Sequence, residues 1–202
     1  MAAACCEFRS LFTHPCAKPA IDAVGDVERC VRFVQERSQE FGIDPSKVVL
    51  TGASSGGQLA ALAALRTPKL NLAGLVLFNP VLDLTFEEGW HHRQPQVWLG
   101  WWLLRLRCGS EDLIKHSPLQ RTCPLPCPTL LLHGTADNLV PLTEVELFCK
   151  RMQCEGNCCT LVTFPGQGHY FFNKRISLPN FMRCLDLMGS FLAPIGIGTS
   201  SG

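Results

Sequence analysis

An apolar run, Val48-Val49-Leu50, passes through Thr51-Gly52-Ala53-Ser54-Ser55-Gly56-Gly57 into the Ala- and Leu-rich stretch Gln58 to Leu65. Unbroken β-branched and apolar residues read as a strand covered on both faces. The stretch after them reads as a helix, and the join between the two is G-x-S-x-G. Such a join commits the chain to a sheet fold in which a serine stands on a sharp turn at a strand's carboxyl end. Glycines two residues to either side, Gly52 and Gly56, are expected where a Cβ would collide. Ser55 has Ala53 two residues before it, so Ser54 meets this steric rule better.

The rest of the chain alternates in the same way. Val24, Val27, Val31 and Val34 recur at helical spacing, which predicts a helix over 20–41, stopped by Gly42 before the turn Asp44-Pro45. Strands are expected at 47–52, 72–78, 129–133 and 160–164, and helices after the serine turn, at 143–152 and at 181–192. Strands alternating with helices predict an α/β fold, a three-layer α/β/α sandwich with a mostly parallel sheet. A single domain over 1–195 is expected, followed by a disordered tail at 196–202.

Composition narrows the function. At 47% hydrophobic and 17% charged, the chain is a globular one, and a net charge of +1 without Lys/Arg runs argues against a nucleic-acid partner. The apolar stretch 97–106 is interrupted by Arg105 and too short to span a bilayer. Met1 to Glu7 has neither a basic start nor an apolar centre, so a cytoplasmic location is expected rather than secretion. The 12 cysteines then read as free thiols. Cys123 and Cys127 lack a second pair to complete a zinc site, so no metal is expected.

Residues 86–126 break the alternation and hold all four tryptophans, Trp90, Trp98, Trp101 and Trp102. An aromatic insertion near the strand ends suits a cap, with Trp90, Trp98 and Trp101 as a pocket wall for an apolar substrate. A helix packed on the sheet with its tryptophans buried is the other reading, and the two are compatible.

A serine hydroxyl needs a base to take its proton and an acid to orient that base. Asp137 follows the strand at 129–133, in His133-Gly134-Thr135-Ala136-Asp137, and His169 follows the strand at 160–164, in Gly166-Gln167-Gly168-His169. Each group thus stands just beyond a strand's carboxyl end, where ligands gather in open α/β sheets. His133 reads as a buried, backbone-bonded histidine. His91 and His92 sit beside Trp90, and His14 and His116 look like loop residues.

Ile43-Asp44-Pro45, the serine turn, Leu77-Phe78-Asn79-Pro80-Val81-Leu82-Asp83, the Asp137 loop and Gly166 to Asn173 together resemble the acetyl esterase/lipase group of α/β-hydrolases. That group is similar to hormone-sensitive-lipase-like and feruloyl-esterase-like enzymes, and the likeness runs from about residue 7 to residue 193. The Ser54, Asp137, His169 order is that of α/β-hydrolases. The resemblance implies a serine carboxylic ester hydrolase forming an acyl-enzyme on Ser54, with His169 as base, Asp137 as its orienter and the Ser55 N–H as an oxyanion donor. It implies a small-molecule ester substrate and no cofactor. Peptidases of the prolyl-oligopeptidase type share the late Asp and His loops. They usually place an aromatic residue where Ser55 stands, and they need an acidic pair or other group to hold the substrate's amino terminus, for which Glu87 and Glu88 could serve, although adjacent glutamates more often form a solvated turn.

One departure qualifies the likeness. The group carries further strands before the helix at 20–41, and a His-Gly-Gly loop whose N–H groups complete the oxyanion hole. No such motif occurs in this sequence. An α/β-hydrolase fold lacking its first strands is therefore expected, with the serine strand's edge open unless Cys5 to Leu11 or a partner chain fills it. An open edge invites self-association. Losing one oxyanion donor typically costs about 10²–10³-fold in turnover. A truncated, catalytically impaired protein acting by association is the alternative.

Overall fold

A computed structural model of the chain describes residues 2–9, 19–85, 104–125 and 127–197. Trp90, Trp98, Trp101 and Trp102 lie outside the described residues, as do His14, His91, His92, Glu87 and Glu88. Four parallel strands form one sheet: β1 (Val49–Ala53), β2 (Gly74–Phe78), β3 (Thr129–Gly134) and β4 (Cys159–Phe164), ordered β1-β2-β3-β4. Sequential parallel neighbours require a crossover after each strand. Helix α3 (Ser55–Arg66) follows β1, α4 (Ser110–Lys115) lies between β2 and β3, α5 (Leu142–Cys154) follows β3, and α6 (Leu178–Leu192) follows β4.

The central strands β2 and β3 are buried almost throughout because both faces of the sheet are covered there, whereas β1 and β4 expose Thr51 and Thr160. Leu75, Leu77 and Leu131 join a core built with α1 (Pro19–Glu36), α3 and α5. Their alternates Val76, Leu130 and Leu132 join a second core with Phe164, Phe171 and Cys184 under α6. The period of two thus sorts each strand's side chains between the two helical layers, and the expected α/β sandwich is what forms. Val24, Val27 and Val31 are buried as their spacing predicts, and Val34 is half-buried. Each fully buried valine contributes about 1.5–3 kcal/mol, so burial rather than helix propensity holds α1 in place.

Some boundaries differ from expectation. The helix expected over 20–41 breaks at Arg37 into α1 and a short α2 (Ser38–Phe41), and Gly42 ends α2 in the left-handed conformation at φ 62°. Gly196 and Ile197, expected in the tail, belong to a hydrogen-bonded turn: the Ile197 N–H donates to the Leu192 carbonyl, and Lys47 Nζ donates to the Gly196 carbonyl at 3.1 Å. Among the described residues β1 pairs only with β2. Residues 2–9 form no strand there. Cys6 and Phe8 instead pack on the core, and Arg9 pairs with Asp26 of α1 at 2.9 Å. The hydrogen bond from Arg9 holds the Asp26 carboxyl down at about 2. Among the described residues no helix is long and apolar enough to cross a membrane.

Candidate active site

Ser54 sits between β1 and α3 at φ 54°, ψ −122°, a backbone conformation rarely adopted by residues with a Cβ. Backbone bonds hold it there. Its N–H donates to the Phe78 carbonyl at 2.9 Å, and its carbonyl accepts from Gln58 N at 3.1 Å and Val81 N at 3.2 Å. A Cβ on Gly52 would collide with the Gly56 carbonyl and come within 2.8 Å of Gly57 N. The expected steric demand therefore holds at Gly52. At Gly56 a Cβ would meet nothing within 4 Å, and the second tight position is Gly57, which packs on Pro80. The reason is direction: Gly56 turns its missing side chain outward from the first turn of α3, and Gly57 faces the sheet end. Ser55 opens α3, so its N–H belongs to the first turn, whose donors have no partner within the helix.

Asp137 and His169 meet. The His169 Nδ1–H donates to Asp137 Oδ2 at 2.7 Å, with the Asp137 side chain fully buried and that of His169 5% exposed. The other carboxylate oxygen, Oδ1, accepts from Leu139 N at 2.8 Å and Val140 N at 3.0 Å. Burial alone would raise the acid's pKa. The His169 bond and the two N–H donors outweigh it and hold Asp137 below the usual carboxylate range. The two loops interlock through Ala136 N, which donates to the Gln167 carbonyl at 2.9 Å. A Cβ on Gly134 would strike that same carbonyl and reach within 2.8 Å of Gly168 O. With its Nδ1 proton committed to Asp137, His169 leaves Nε2 with a free lone pair, the form a general base requires.

His133 lies beneath the pair. Its Nε2–H donates to the Val140 carbonyl at 3.1 Å and stands 3.9 Å from Asp137 Oδ2, and its Nδ1 is buried without a partner. Burial pushes its pKa down, so it is neutral and makes no ion pair. This is the buried, backbone-bonded histidine expected. His116, expected in a loop, ends α4 in a buried position where its Nδ1 lies 2.7 Å from the Asp112 carbonyl.

Two residues of the site escaped the sequence reading. Asn79 is fully buried at φ 39°, and its Nδ2 donates to the His169 carbonyl. Val81, two residues on, donates to the Ser54 carbonyl, so the turn after β2 bonds both the serine and the histidine segments. Glu144, in the first turn of α5, accepts through Oε1 from Leu82 N and from Asp83 N at 2.9 Å, and its Oε2 is buried and unpartnered. Burial, with Asp83 and Asp137 nearby, pushes its pKa up to about 8 against the two N–H donors.

That carboxyl predicts a pH-dependent stability. Its pKa is raised in the folded chain from an ordinary 4.5, so between about 4.5 and about 8 the folded state keeps a proton that the unfolded state has lost. Stability from this group is fully present below that window and is lost as pH rises through it, by up to about 1.4 kcal/mol per pH unit. Glu144→Gln keeps an acceptor for both N–H groups and removes the titration. Urea midpoints at pH 5, 7 and 9 are expected to fall with pH in the parent more steeply than in the variant. Parallel slopes would show that Glu144 does not carry the proton.

A family model described as the prolyl oligopeptidase family matches residues 22–189. Among curated proteins, the chain is 28% identical over 171 residues to esterase LipQ of Mycobacterium tuberculosis, covering 78% of this chain and 40% of that protein. The chain thus spans about two fifths of that relative's length. Among solved structures, esterase 2 of Thermogutta terrifontis phosphonylated by sarin superposes with a TM-score of 0.81 at 33% identity, over 96% of this chain and 73% of that one. The same esterase with butyrate bound superposes at 0.77 and 34% identity, over 97% of this chain and 73% of that one.

Proposed function

The chain belongs to the prolyl oligopeptidase family, and from its likeness to esterases we propose that it hydrolyses carboxylic esters through an acyl-enzyme on Ser54. The observation that carries this reading is the 2.7 Å Asp137–His169 hydrogen bond, on a loop tied by Asn79 to the turn that also bonds Ser54. His169 Nε2 takes the Ser54 hydroxyl proton as Oγ attacks the ester carbonyl. The Ser55 N–H, at the start of α3, stabilises the oxyanion, aided by the positive end of the helix dipole. His169 then returns the proton to the departing alkoxide, and water attacks the acyl-enzyme by the same base. Asp137 stays ionised and steadies the imidazolium. The substrate is a small-molecule ester. Butyrate bound to the similar Thermogutta esterase favours a short acyl chain.

Fluorophosphonate labelling with p-nitrophenyl acetate turnover tests the reading. Expected are hydrolysis and a single labelled peptide, the one containing Ser54. Turnover with the label elsewhere, or neither, would overturn it. The described cysteines are all free thiols, which fits a reducing, cytoplasmic setting.

Among the described residues one edge of β1 has no strand beside it, which favours a second property, self-association by strand pairing. Sedimentation across a hundredfold range of concentration is then expected to show mass rising above 22.3 kDa. A constant monomer mass would remove it.

A further inference from the structure

We propose that Asn79 is a positioning residue for His169: its side-chain amide catches the histidine loop at the end of β2 and thereby sets where the imidazole stands between Asp137 and Ser54. This rests on the reading of Ser54 and His169 as nucleophile and base.

The sheet order creates the need. Ser54 follows β1 and His169 follows β4, with β2 and β3 between them. Three strand spacings separate the two origins, about 14 Å at 4.7–4.9 Å per strand. The loop after β4 must therefore reach back across the ends of β3 and β2. Over β3 it is received by Gly134, where only the lack of a Cβ lets the Gln167 carbonyl lie close. Over β2 it is received by Asn79, whose Nδ2 donates to the carbonyl of His169 itself. The acceptor is a backbone carbonyl, so only the amide's NH₂ end fits this bond.

Asn79 is an expensive residue for a merely structural place. It is fully buried, and its Oδ1 has no partner. Buried polar atoms are ordinarily paired. It also adopts φ 39° directly before Pro80, where the preceding residue is ordinarily driven to extended backbone. Asparagine tolerates the left-handed region better than other residues with a Cβ. That conformation comes at the point where the chain leaves β2, with the Asn79 N–H still bonded to the Leu132 carbonyl at 3.0 Å. Glycine would avoid both costs, and it could not hold the His169 carbonyl. Asn79 touches neither substrate nor reacting atoms in this role. It acts through the histidine's backbone.

Asn79→Gly removes the amide while accepting the same backbone conformation. Its melt and near-ultraviolet circular dichroism are expected to match the parent. Its kcat for p-nitrophenyl acetate is expected to fall about 10–100-fold with KM within about twofold, because small misplacements of a reacting group cost on that order. A readout independent of turnover is the low-field proton on His169 Nδ1, which NMR is expected to show in the parent and to find broadened or absent in the variant. In the unsubstituted protein the Asn79 side-chain amide protons should exchange slowly with solvent, which tests the bond even if the variant does not fold. An Asn79→Gly protein with parental kcat and an unchanged low-field proton would overturn the proposal, as would freely exchanging Asn79 amide protons. A parent that neither turns over ester nor takes the label on Ser54 would instead sink the esterase reading, with the NMR measurements still deciding the place of Asn79.

Discussion

Ser54→Ala is expected to lower kcat for p-nitrophenyl acetate by about 10⁵–10⁶-fold with little change in stability. The backbone at residue 54 makes the bonds to Phe78, Gln58 and Val81, so alanine keeps all of them. The strained φ of 54° weighs on any residue with a Cβ, so alanine adds no backbone cost that serine lacked. On the proposed mechanism, what is lost is the hydroxyl that forms the acyl bond. The double variant Ser54→Ala with His169→Ala should then be no slower than Ser54→Ala alone, because a base without its nucleophile has nothing to deprotonate. Initial rates with purified protein, beside a thermal melt, check both statements. Equal rates for parent and Ser54→Ala would assign the hydrolysis to some other group.

Much of the site was legible because its chemistry is written in local pattern. An apolar strand, a glycine-bearing turn and a helix identify the serine turn without reference to the rest of the chain. Asp137 and His169 could be singled out because each follows a strand within a short glycine-bearing loop. Their 2.7 Å contact is the outcome of β3 and β4 being neighbours. Asn79 and Glu144 were not legible for the opposite reason. An asparagine before proline at a strand's end looks like a chain breaker, and a glutamate in the first turn of a helix looks like a solvated acid favoured by the dipole. Their burial is conferred by partners far along the chain, His169 in one case and Leu82 and Asp83 in the other. Pattern within a window does not report such partners.

The same limit explains Gly56 and Arg37. The spacing of G-x-S-x-G is symmetrical about Ser54, but the structure around it is not. A strand precedes the serine and a helix follows it, so Gly52 and Gly57 face the tight contacts and Gly56 does not. The helical spacing of Val24, Val27, Val31 and Val34 ends before Arg37 and so gives no sign of the break there, where the backbone is at φ −100°, ψ 22°.

Asp137→Asn is expected to cost roughly 10⁴-fold in kcat at neutral pH, by a route that its surroundings dictate. Leu139 N and Val140 N both donate to Oδ1. An asparagine must therefore place its carbonyl oxygen toward them, which turns its NH₂ toward His169. That NH₂ can only donate, so His169 Nδ1 must become the acceptor and the imidazole proton moves to Nε2. Nε2 then carries the proton and can no longer act as base. The variant should bind fluorophosphonate far more slowly than the parent yet melt at a similar temperature, since the size and the backbone bonds of residue 137 are preserved. High pH should recover part of the rate, as direct ionisation of the serine hydroxyl replaces the lost base. Asp137→Ala, which leaves the tautomer unforced but unsupported, is expected to be no worse. A neutral-pH rate within tenfold of the parent for Asp137→Asn would show that the carboxylate does not set the tautomer of His169.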